Sequence, residues 1–73
     1  MHKVSVIIEK DAHGFYAFSP DLPGCQTQGG SLEEAVTNIK EGVALYLETL
    51  SQEELDEIAN KEIFSTTVEV TVA

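Results

Sequence analysis

The spacing of apolar residues changes at Gly29-Gly30-Ser31, and that switch limits the folds open to the chain. Before it, apolar side chains recur every second residue, the period of a strand whose successive side chains leave on opposite faces. After it they recur at three and four, the period of a helix with one apolar stripe. Written this way, a chain predicts a sheet with a helix laid across one face, an α+β arrangement.

In the first part, Val4, Val6 and Ile8 fall on one side and Lys3, Ser5, Ile7 and Glu9 on the other, which predicts a strand over about residues 3–10. Asp11-Ala12-His13-Gly14 is polar and ends in a glycine able to take positive φ. The β-favouring Phe15-Tyr16-Ala17-Phe18 follows, so a hairpin is expected. In Ser19-Pro20-Asp21-Leu22-Pro23-Gly24, two prolines remove backbone donors and Pro23-Gly24 suits the central positions of a type II turn. The loop should be rigid and exposed. Cys25-Gln26-Thr27-Gln28 is then a short third strand, closed by Gly29-Gly30.

Beyond the switch, Ser31-Leu32-Glu33-Glu34 is a capping box, in which the Ser31 hydroxyl takes the N–H of Glu34 and the Glu34 carboxylate reaches back to the N–H of Ser31. The helix it starts is expected to run from Leu32 to Leu50 and to pack on a four-stranded sheet through Val36, Ile39, Val43 and Leu47. Gly42 costs about 1 kcal/mol against alanine in a helix interior, and close approach to the sheet would offset this. A second box, Ser51-Gln52-Glu53-Glu54, begins a shorter helix with Leu55, Ile58 and Ala59 on one side, ended by Asn60 and Lys61. From Phe64 to Val72 alternation returns, with Val68, Val70 and Val72 facing one way, which predicts a last strand.

Seventy-three residues make one domain, and a domain this short buries only about 60% of the surface its unfolded chain exposes. Self-association would help it, so a two-fold homodimer or higher homo-oligomer is expected, with Leu45, Val68, Val70 and Val72 as candidate contacts. Thirteen acidic against four basic side chains give a net charge of -9, which repels phosphates and anionic membranes and suits a basic partner. The single cysteine makes no intrachain disulfide. The opening MHKVSVIIEK has too short an apolar run for a signal peptide, and no stretch approaches the roughly 18 apolar residues of a membrane span. A cytoplasmic protein is expected.

A Cys25 nucleophile would need a nearby base, and the histidines are His2 at the chain end and His13 in the first turn. Cys25 is better read as a small buried hydrophobe, and His13 as a solvated turn residue without metal-ligand spacing. A two-metal nuclease site needs carboxylates facing inward from neighbouring elements. Glu9 lies at a strand end, Asp11 and Asp21 in loops, and Glu33 and Glu34 at the helix start, where acids favour the dipole. No glycine-rich phosphate loop precedes the helix. No catalytic residue, metal ligand or cofactor is therefore expected.

The run Gly14-Phe15-Tyr16-Ala17-Phe18-Ser19-Pro20-Asp21-Leu22-Pro23-Gly24-Cys25, then Thr27-Gln28-Gly29 and Ser31-Leu32-Glu33-Glu34-Ala35, resembles the HicB-like antitoxins of HicA/HicB toxin–antitoxin systems. The resemblance covers residues 3 to about 50. It implies a partial RNase-H-like β-β-β-α-β fold without the nuclease carboxylates, and a small, basic, mRNA-cleaving HicA-like toxin as partner. Many such antitoxins also carry a C-terminal helix-turn-helix or ribbon-helix-helix domain that represses their own operon. The 73 residues leave no room for one, so direct nucleic-acid binding is not expected of this chain. Candidate toxin contacts are Asp21, Leu22, Pro23 and Gly24 in the turn and Glu33, Glu41 and Glu48 along the helix. The competing expectation is a stand-alone oligomeric module that binds a protein or ligand and has no toxin partner.

Overall fold

A computed structural model describes residues 2–73. Strands β1 (Ile7–Asp11), β2 (Gly14–Phe18) and β3 (Gln26–Gly29) form an antiparallel sheet in that order, followed by helices α1 (Leu32–Leu47) and α2 (Gln52–Ala59). The β1–β2 hairpin closes over Ala12-His13, pairing Asp11 with Gly14, and the Asp11 carboxylate accepts the His13 N–H at 2.8 Å. Gly14 sits at φ +126°, a conformation side-chain-bearing residues avoid.

Register sorts the sheet into two faces. Ile8 pairs with Ala17 and Ala17 with Thr27, on the face that α1 covers, where Ala17 is fully buried. Tyr16 and Phe18 point to the other face, stacked with centroids 5.5 Å apart. Ala17, Leu22, Cys25, Ala35 and Ile39 make the buried core, with Phe15, Val43, Tyr46 and Leu47 packed around it.

The helix begins as the sequence predicts: the Ser31 hydroxyl accepts the Glu34 N–H at 3.1 Å. The return bond differs, because the Glu34 carboxylate takes the N–H of Gly30 at 3.1 Å instead of that of Ser31. The second box closes in full, with Ser51 Oγ and Glu54 Oε1 each accepting the other residue's N–H. The first helix stops at Leu47, short of the expected Leu50, where the Thr49 and Leu50 N–H groups turn back onto the Tyr46 and Leu47 carbonyls.

Four further expectations are corrected. Pairing in β1 starts at Ile7 rather than residue 3, because β2 ends at Phe18 before the Pro20 loop; the Ser5 N–H donates instead to Asp21 Oδ2 at 2.9 Å. Val36 is 44% exposed and so seals little of the core, which Ala35 and Ile39 close. The glycine in close approach is Gly29, where a Cβ would fall 2.6 Å from the Ala35 nitrogen; at Gly42 it would meet Cys25 Sγ at an ordinary 3.8 Å. Finally, residues 61–73 form neither helix nor strand, so the sheet has three strands and not four.

Candidate functional site

Two consecutive turns build the loop that joins β2 to β3. The Leu22 N–H donates to the Ser19 carbonyl at 3.3 Å, and the Cys25 N–H to the Leu22 carbonyl at 3.0 Å across Pro23-Gly24. With Gly24 at φ +82°, the second is the type II turn that the Pro-Gly pair predicts. A bond from the Ser19 N–H to the Cys25 carbonyl, 3.0 Å, closes the base. The Ser19 hydroxyl is buried there and, like Asp21 Oδ1, has no hydrogen-bond partner among the described residues.

Leu22 corrects one expected contact. Its side chain is 1% exposed and plugs the core beside Cys25 and Ile39, so it anchors the loop from beneath and is closed to a partner. That anchorage presents Pro23 and Gly24 outward, and the Tyr46 hydroxyl fastens the tip by donating to the Pro23 carbonyl at 2.9 Å. This bond joins the loop tip to the last turn of α1.

A shallow depression of about 130 Å³ opens beside it, walled by Asp21, Pro23, Tyr46, Leu50, Glu54 and Glu57. Glu54 and Glu57 thus rim a half-apolar surface that the loop and α2 make together, while the Asp21 carboxylate turns inward, with Oδ1 buried and Oδ2 held by the Ser5 N–H. Glu48 caps the adjacent end of α1. Glu41 is exposed on the side of α1 turned away from the buried Ile39. Glu33, also exposed, lies at the opposite end, about 22 Å from Glu48 along the axis at 1.5 Å per residue, so the structure does not bring it to this surface. Glu54 and Glu57 are the members sequence reasoning missed: their spacing marks one side of α2, but which loop α2 lies against is a tertiary fact.

The polar side chains considered for chemistry are dispersed. His13 stands at one end of β2 and Cys25 beyond the other, about 17 Å apart for five extended residues. Burial pushes the Cys25 thiol above its ordinary range, away from the thiolate a nucleophile requires. Among the described residues, no three His, Cys, Asp or Glu side chains are grouped to hold a metal ion, and no helix is long and apolar enough to cross a membrane.

A family model described as the HicB-like antitoxin of bacterial toxin–antitoxin systems matches residues 4–71. The chain belongs to the HicB-like antitoxins. A UPF0150 protein of Helicobacter pylori is 43% identical over 70 residues, covering 96% of this chain and 97% of its own. A UPF0150 protein of Thermoplasma acidophilum is 49% identical over 51 residues, 68% of this chain and 74% of its own, and one of Archaeoglobus fulgidus is 49% identical over 47 residues, 63% and 68%. No solved structure gives a significant match. The stretch that carries the resemblance supplies the loop side of the half-apolar surface of this HicB-like antitoxin, Asp21 and Pro23, while α2 supplies its exposed acids Glu54 and Glu57.

Proposed function

We propose that this HicB-like antitoxin neutralises a small, basic, mRNA-cleaving toxin of the HicA type by covering the toxin's RNA-binding and catalytic surface, with no chemistry of its own. The observation that carries this is the depression where the exposed Glu54 and Glu57 stand beside the exposed Pro23 and the half-buried Tyr46 and Leu50. Carboxylates held around apolar ground offer what a phosphate-binding protein seeks, while the apolar centre supplies affinity that charge alone does not. Pro23 and Gly24 are the proposed contacts in the loop, where Asp21 serves by holding Ser5, with Glu48 beside them and Glu41 farther along α1. In this account the protein acts in the cytoplasm, where a toxin would meet mRNA, and as a homo-oligomer.

The test is co-expression with the short basic reading frame adjacent to this one, read by growth and by pull-down of the pair. The expected result is a toxic neighbour, rescue by this chain, and a stable complex. The change Glu57→Lys, which spares the Ser51–Glu54 capping box, should weaken the complex about tenfold while leaving the helical circular dichroism intact. If the neighbour is toxic and this chain neither binds it nor restores growth, the proposal fails.

A further inference from the structure

A second surface lies between α1 and the segment that runs into β1. There an apolar groove of about 340 Å³ runs beside residues 4–8, with Val4 and Val6 ahead of β1 and Ile8 within it on one wall, Val36 and Val43 on the other, and Ile39 between them. Val6 and Val36 are 36% and 44% exposed in it. The strand order β1-β2-β3 leaves the outer edge of β1 unpaired among the described residues, and that edge meets the groove at Ile8. The opposite edge is partly blocked, because the Asn38 side chain donates to the Gln28 carbonyl at 2.9 Å. Groove and free edge together form a seat for an extended, alternating segment.

The chain contains such a segment. Val68, Val70 and Val72 alternate with Thr67, Glu69 and Thr71, and the three valines are 72%, 74% and 86% exposed. These residues stand off the body: the molecule measures 47 Å by 30 by 18 Å, and its radius of gyration of 14.4 Å exceeds the value of about 11 Å for a compact chain of this length. Charge narrows the choice of occupant. The groove carries His2 and Lys40 on its rim and no carboxylate in its lining, although the chain has thirteen acids and four lysines. That rim disfavours a basic partner, and the arm over residues 64–72 carries no lysine or arginine.

We propose that the arm over residues 64–72 of one copy is added as a strand along the free edge of β1 in a second copy, seating Val68, Val70 and Val72 in the groove against α1. The exchange is reciprocal, so two arms and two grooves close a two-fold dimer. Alternation makes the model specific: the valine side of the arm enters the groove and Glu69 faces away from it. The inference does not depend on the toxin-binding role, since it uses a different surface.

Light scattering of the full chain should give twice the mass of one chain. Val70→Lys should convert it to a monomer, whereas Glu69→Lys, on the opposite side of the arm, should leave the dimer intact. Where Val70→Lys also perturbs folding, cross-linking decides the matter. In a Cys25→Ser background, chains with Val6→Cys are mixed with chains carrying Val70→Cys and oxidised. A disulfide joining the two kinds of chain is expected. The proposal is overturned by a monomeric mass at every concentration, by a dimer that survives Val70→Lys, or by the absence of a disulfide between the Val6→Cys and Val70→Cys chains.

Discussion

Gly29 and Gly42 look alike in the sequence and do opposite things in space. A Cβ on Gly29 would stand 2.6 Å from the backbone nitrogen and 3.0 Å from the Cα of Ala35, and neither atom yields without shifting the helix. Gly29→Ala should therefore cost about 1–3 kcal/mol as overpacking, measured by urea unfolding. Gly42→Ala meets ordinary contact and gains helix propensity, so it should stabilise by up to about 1 kcal/mol. Cys25 gives the second residue-scale prediction. Its folded-state pKa is raised by burial, so the unfolded chain ionises first. Stability is undiminished below about pH 8.5, the ordinary thiol value, and falls as pH rises from there through the folded value. Unfolding curves on either side of that pH should show the loss in the native chain and not in Cys25→Ser.

Among the elements, α1 was legible because its evidence is local: a cap at Ser31, a stripe at three and four, and a core position at Ile39, which is 3% exposed. Ile39→Ala should cost about 2–5 kcal/mol and Lys40→Ala almost nothing, read from the same denaturant curves. The Pro23-Gly24 turn was legible for the same reason, since both residues state their own dihedral preferences. What the sequence hid depends on neighbours distant in the chain. Nothing near Leu22 says that it turns inward, nothing near Gly29 says that the helix start rests on it, and the acids of α2 do not reveal that they face the loop. Residues 64–72 show the limit most clearly. Alternation states that a segment is fit to be a strand, but a strand also needs an edge, and no pattern within the segment names whose edge it is.

For the whole molecule, charge and apolar surface divide the labour between two faces. The loop side carries Asp21, Glu54 and Glu57, and the groove side His2 and Lys40. Association with a basic toxin should therefore slow as salt rises, with most of the change in the on-rate, as stopped-flow mixing at several ionic strengths would show. Dimerisation through buried valines should be far less sensitive, so the two events separate by salt alone. The bond from the Tyr46 hydroxyl to the Pro23 carbonyl has an optical consequence as well. The chain contains no tryptophan and two tyrosines, and the other, Tyr16, is tied to Gln26 at 2.7 Å on the uncovered face of the sheet. Tyr46 is thus a built-in fluorophore whose emission reports on the loop tip, and Tyr46→Phe leaves Tyr16 as an internal reference for everything that happens elsewhere.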